Sequence, residues 1–225
     1  DQVFKSFNEG IKYWTSLRSL TLVFAQSKAI SKHWLHEFCI QSLNHLNHLT
    51  SLKIDFQDCE QIQDEELSIL TSEGLSYLTH LTSLDLNFAR CKNITQQGLC
   101  NLASQGLKNF HLLTALSLNF ERIEKLDDQG ILDLCTKGLQ HCKQLTSLNL
   151  DFNHCELISD QGISHLSTQG IQCLPYLIDL SLNFAKCKEL TEKAVVILSQ
   201  NNLTQLKSLK LHFESIIKDK DDLTQ

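Results

Sequence analysis

Leu81-Thr82-Ser83-Leu84-Asp85-Leu86-Asn87-Phe88 decides the architecture of this chain, because near copies of it recur on both sides at a fixed step. Copies begin at Leu17, Leu49, Leu81, Leu113, Leu145 and Leu177, each 32 residues after the last, and a seventh begins at Leu206, 29 residues on. Units repeated at such a step cannot bury a core alone and must stack on their neighbours. With Leu81 as position 1, apolar residues occupy positions 1, 4, 6 and 8, which are Leu81, Leu84, Leu86 and Phe88. From Leu84 the spacing is two. Leu84, Leu86 and Phe88 therefore share the inner face of a short strand, while Asp85 and Asn87 point outward.

Past the strand, Cys91 and Ile94 carry the apolar pattern through a turn, and Thr95 is the expected N-cap of a helix. Other units place Ser31, Gln63, Asp127, Ser159 and Thr191 there, nearly all of them capping types. Leu99, Leu102 and Phe110 continue at roughly helical spacing. Gly106 predicts a helix of two to three turns that closes near it, followed by a second short turn. All eight glycines keep the register: Gly10, Gly74, Gly106, Gly138 and Gly170 at position 26, and Gly98, Gly130 and Gly162 at position 18. At position 26 the expected need is a positive φ at a helix end; at position 18 it is close approach of neighbouring helices. Strand, turn and returning helix, stacked through right-handed crossovers, predict an α/β solenoid with a curved parallel sheet inside and helices outside.

These residues place the chain beside a known family. Leu81-Thr-Ser-Leu84-Asp-Leu86, followed by Cys91-Lys-Asn-Ile94-Thr95-Gln-Gln-Gly98-Leu99-Cys-Asn-Leu102, resembles the leucine-rich repeat family, closest to its cysteine-containing and ribonuclease-inhibitor-like subtypes. The resemblance spans residues 10 to about 213. In the cysteine-containing subtype the Cys lies three residues after the last strand Leu, whereas Cys91 lies five after Leu86. Two added residues preserve the faces of a strand, so the strand has gained one inward residue, the recurrent Phe24, Phe56, Phe88, Phe120, Phe152, Phe184 and Phe213. Stacked unit on unit, these predict a phenylalanine spine. The step of 32 also exceeds the family's usual 20 to 29, which implies extra helical length outside.

One leucine-rich repeat domain accounts for residues 1–225, with 1–16 a partial repeat or cap and 214–225 a charged tail. Trp14 takes the last helical slot of the partial unit, and Asp1, Lys5, Asn8 and Glu9 would give a cap its polar face. With no Met and Asp1 at its start, the chain reads as processed or cut from something longer. Net charge is −6, which supplies no electrostatic footprint for nucleic acid or an anionic membrane. No apolar run approaches the roughly 18 residues that span a bilayer, and no signal-peptide pattern opens the chain. Four of the nine cysteines, Cys59, Cys91, Cys155 and Cys187, share one repeat position with Ile123. That interchange marks a buried apolar slot, and unpaired structural thiols suit a reducing, cytoplasmic compartment.

Chemistry would need His, Cys and carboxylates that converge and break the repeat. His36 and Cys39 share a helix face, but no second pair completes a ligand set. No catalytic, metal or cofactor site is expected, and no small-molecule substrate. The outward ladder is small, polar and mildly acidic: Asp55, Asp85, Asn87, Asn119, Asn149, Asp151, Asp179 and Asn183 are the candidate contacts for a protein partner. At the loop edge where strands end, Arg90, Arg122, His154 and Lys186 form a second candidate surface. Trp34, Phe38, Tyr77 and Tyr176 break the repeat and mark further positions of interest. The resemblance implies a non-enzymatic protein interaction module, a scaffold or adaptor subunit of an intracellular assembly. Alternatives are the substrate-recognition half of an F-box type ubiquitin ligase adaptor and the sensing or effector arm of a larger signalling protein.

Overall fold

The computed structural model describes residues 2–11, 13–200 and 203–214. Each copy of the opening motif forms a five-residue strand: β1 (Ser19–Val23), β2 (Ser51–Asp55), β3 (Ser83–Asn87), β4 (Ala115–Asn119), β5 (Ser147–Asp151), β6 (Asp179–Asn183) and β7 (Ser208–His212). They lie in chain order in one parallel sheet. The register pairs residues one repeat apart, such as Leu84 with Leu116 and Asp85 with Ser117. From β2 to β6 the strand residues at positions 4 and 6 are buried. The following Phe rings form the expected spine. Rings from Phe24 to Phe213 stack at centroid spacings of 5.4–5.9 Å with interplanar angles of 13–22°. Each such pair contributes roughly 0.5–1.5 kcal/mol beyond the area it buries.

The helices are α1 (Gln2–Ile11), α2 (Lys32–Gln41), α3 (Asp64–Ile69), α4 (Gln96–Asn101), α5 (Asp128–Asp133), α6 (Asp160–His165) and α7 (Glu192–Ser199). Capping follows the sequence. Side chains of Ser31, Thr95, Asp127, Ser159 and Thr191 accept N–H groups of the first turn. At Gln63 the buried Glu66 carboxylate accepts the Gln63 N–H at 3.2 Å instead. In four units the α-helix passes without a break into a wider π turn, at Leu70–Gly74, Leu102–Gly106, Leu134–Gly138 and Leu166–Gly170, then into a short 3₁₀ turn. Among the described residues the 29-residue unit has one eight-residue helix, α7, and no such π turn.

The glycines at position 26 differ from expectation: no glycine has a positive φ. At Gly74, Gly138 and Gly170 the need is space, whereas a Cβ on Gly10 would meet nothing within 4 Å and one on Gly106 would make ordinary contact with Thr71 at 3.4 Å. A Cβ on Gly74 would meet Cys39 Sγ at 2.9 Å, one on Gly138 would meet the Ala103 backbone at 3.1 Å, and one on Gly170 would meet Cys135 Sγ at 2.8 Å. The π turns set Gly74, Gly106, Gly138 and Gly170 against a small residue of the unit before each, Cys39, Thr71, Ala103 and Cys135. Position 18 is tight at Gly98, where a Cβ would meet Asp64 Oδ1 at 2.6 Å, and at Gly162, which faces Asp128, but at Gly130 the nearest atom is an ordinary 3.4 Å away.

The first unit also departs from the reading. Trp34 and Phe38 are core residues. Trp34 lies edge-on to Phe24 at 5.1 Å and stacks on Phe38 at 5.2 Å, and Phe38 meets Phe7 at 6.1 Å. They cover the N-terminal end of the spine and offer nothing to a partner. Asn8 is buried, and Trp14, expected in an apolar slot, is half exposed. Asp1, Asn202, the tail from Lys218 to Asp222 and the side chain of Lys5 lie outside the described residues.

Candidate interaction surfaces

The outward residues of the sheet fall into two groups. Those closing each strand serve the fold itself. Asp55, Asn87, Asn119, Asp151 and Asn183 each accept, through Oδ1, the N–H two residues on, at 2.9–3.1 Å. This side-chain turn is what Asp and Asn form most readily. It ends the strand and leaves these groups half buried. Asn183 also donates to Asp151 Oδ2 at 3.0 Å.

The second group lies at the middle or start of its strand and is freer. Asp85 pairs with Lys53 at 2.7 Å, an exposed contact worth at most about 1 kcal/mol. Asn149 donates to Ser117 Oγ at 3.1 Å, and Asp179 is exposed at the start of β6. Asn149 and Asp179, with Ser147, Ser181, Ser208 and Lys210, line a shallow concavity of about 510 Å³.

The loop edge holds a feature that the sequence does not signal. Gln26, Asp58, Arg90, Arg122, His154 and Lys186 all have φ between 57° and 61°. No glycine or asparagine stands at these left-handed positions, where an ordinary side chain costs roughly 1–2 kcal/mol. The compensation is a backbone hydrogen bond. Each of these N–H groups donates to a carbonyl in the next unit, as Arg90 to Glu121 at 2.7 Å and His154 to Ala185 at 2.9 Å, which extends the ladder past the strands. The turned backbone carries their side chains along one ridge. Arg90 approaches Asp58 at 3.6 Å and Glu121 at 3.8 Å, and Arg122 approaches Glu121 at 3.4 Å. Burial, then the positive Arg122 and Lys186, lower the His154 pKa below its ordinary value. The ridge is thus neutralised around Arg90 and more cationic toward Lys186.

Chemical groups elsewhere serve packing. The Cys59, Cys91, Cys155 and Cys187 thiols are buried and donate to Phe carbonyls of the preceding unit at 3.0–3.2 Å, and Ile123 fills the same slot. Cys100 and Cys173 are partly exposed. Cys39 is buried, and the His36 beside it pairs with Glu73 at 3.2 Å. Among the described residues no group of three or more His, Cys, Asp or Glu could hold a metal ion, and no helix is long and apolar enough to cross a membrane.

One strand and one returning helix per repeat, with all strands parallel in chain order, define the leucine-rich repeat fold, and this chain has it. Among solved structures it is similar to the actin-binding site 2 of leiomodin-1, with a TM-score of 0.50 and 17% identity over 67% of this chain and 80% of that one. It is also similar to the C-terminal domain of Caenorhabditis elegans tropomodulin, with a TM-score of 0.46 and 17% identity over 66% and 83%. A chain of the yeast Rad7–Elc1 complex aligns with a TM-score of 0.36 and 17% identity over 93% and 75%. No protein-family model matches the chain, and no curated protein matches it in sequence.

Proposed function

We propose that this chain is a non-enzymatic protein-binding module, a scaffold or adaptor subunit of an intracellular assembly that holds its partner across the sheet face and the adjoining loop edge. The observation that carries this reading is the seven-stranded face itself. It presents polar side chains in straight rows on a backbone whose own hydrogen bonds are already made, so contacts to a partner require little ordering of the module. The leiomodin-1 segment of the same fold is an actin-binding site, a protein-binding use of this architecture. Within the surface, Asp85, Asn149 and Asp179 are the freer contacts, and Lys186 is the freer cation of the ridge.

The test is crosslinking mass spectrometry on the protein in its native extract, followed by binding measurements with the partner recovered. Crosslinks are expected from Lys53 and Lys210 on the sheet or Lys186 on the ridge, and Asp85→Lys combined with Asp179→Lys should weaken binding about tenfold. Asp55 and Asp151 are poor choices for such charge reversal, since both hold strand-end turns. A partner that crosslinks only through helix lysines and binds the double variant undiminished would refute the surface.

A further inference from the structure

The sheet has another edge, where the strands begin. Segments leading into the strands build it: residues 13–18, 44–50, 76–82, 108–114, 140–146, 172–178 and 203–207. None contains Asp or Glu, although the chain has 26 acidic residues. They do contain Arg18, Lys108, Lys143 and Lys207, five of the ten histidines and all three tyrosines. Tyr13, Trp14, Tyr77, Leu112 and Tyr176 all lie here and are more than half exposed, from 52% at Trp14 to 75% at Tyr13.

Absence of acidic residues sets this edge apart, and among the described residues its cations are without ion pairs, as are Lys92, Lys125, Lys186 and Lys193 elsewhere. Among the described residues, ion pairs engage Lys53 on the sheet, Arg90 and Arg122 on the ridge, and Lys32, His36, Lys137 and Lys188 on helices and loops. None includes Arg18, Lys108, Lys143 or Lys207. The edge is also firmly held. Hydroxyls of Thr50, Thr82, Thr114 and Thr146 donate to the carbonyl at the same position one unit before, at 3.0–3.1 Å. Its rows therefore keep the strand spacing of about 5 Å.

We propose that this strand-start edge docks an acidic segment of another protein, one that interleaves carboxylates with leucine or aromatic residues. Tyr, Trp and Arg are the side chains that anchor protein interfaces, and here all three types occur on a strip from which acids are absent. Carboxylates of the partner meet cations that no acidic side chain pairs among the described residues, Arg18 and Lys143 donating only to the backbone carbonyls of His48 at 3.4 Å and Cys173 at 3.1 Å, and its apolar side chains cover the exposed rings. A nucleic acid is the poorer fit: four fixed cations over seven units are sparse against a phosphate backbone, which carries no apolar side chains to cover the exposed rings. This edge lies apart from the sheet face and loop ridge, and its role stands or falls separately from theirs.

The test uses fluorescence anisotropy of a labelled peptide in which Glu alternates with Leu, added to the full chain at low ionic strength. Saturable binding is expected. Lys108→Glu combined with Lys143→Glu should weaken it about tenfold or more, as should Tyr77→Ala combined with Tyr176→Ala, with circular dichroism showing each variant folded. Lys92→Glu combined with Lys193→Glu, the same change of charge away from this edge, should alter it by no more than about twofold. Absence of saturable binding, or undiminished binding to the folded Lys108→Glu, Lys143→Glu variant, would overturn the proposal. So would displacement of the peptide by oligouridylate or phosphatidylserine vesicles at lower concentration than by unlabelled peptide.

Discussion

At the scale of the residue, Cys91 shows how one side chain joins two repeats. Its thiol is buried beneath the turn and donates to the Phe56 carbonyl at 3.1 Å, a contact that only the protonated form can make. Burial pushes the Cys91 and Cys187 thiols up to about 12, with Cys39, Cys135 and Cys142 alongside them. In the unfolded chain a thiol ionises near 8.5. Above that pH the unfolded state releases protons that the folded state retains, so stability present in full below about 8.5 is lost as pH rises toward 12. Urea unfolding between pH 8 and pH 11 should show stability falling by on the order of 1 kcal/mol per pH unit for each such thiol. Cys91→Ile, which copies Ile123 in the same slot, should flatten that slope at small cost near pH 7. An unchanged slope would mean that Cys91 does not contribute.

The helical elements are joined by a carboxylate clamp between consecutive units. Asp64, Asp128 and Asp160, each first in its helix, accept both the N–H and the hydroxyl of the next unit's cap. The bonds to Thr95 are 2.8 and 2.7 Å, those to Ser159 are 2.8 and 2.5 Å, and those to Thr191 are 2.9 and 2.6 Å. Where the next cap is Asp127, the clamp position holds Gln96, which avoids setting two carboxylates together. Gln96→Asp should therefore destabilise the fold by about 1–2 kcal/mol. Adding Asp127→Ser should build a fourth clamp and recover most of that loss. A double-mutant cycle by urea denaturation measures the coupling, expected at about 1 kcal/mol or more. Simple additivity of the two changes would show that the clamps carry no energy.

Across the whole molecule, stability in a stacked array is set by what each unit finds on either side. The spine is closed at its start, where Trp34 covers Phe24. At β7 the strand is more exposed: Leu209 is 53% exposed, and among the described rings Phe213 stacks on Phe184. Hydrogen exchange in the native state should accordingly be slowest in β3 to β5 and fastest in β7, with β1 slower than β7. Equal protection across all strands would mean that the array unfolds as one unit and that end exposure carries no penalty.

Periodicity alone determined the strand positions, the inward and outward parity of each strand, the spine from Phe24 to Phe213 and the buried slot shared by Cys91 and Ile123. Each of these follows from which residues recur every 32 positions and how they alternate, and burial acts on them one position at a time. The tertiary structure decided what depends on the neighbouring unit. Gly138 is glycine because Ala103 lies 3.1 Å from where its Cβ would be, a distance no local pattern encodes. Arg90 turns left-handed because a carbonyl one repeat away receives its N–H. Asn87 and Asp151 became strand-end turns rather than free contacts for the same kind of reason, a partner supplied by the folded backbone. The strand-start edge arises this way too: Arg18, Tyr77, Lys143 and Tyr176 lie far apart in the chain, and only stacking at the strand spacing makes them one surface.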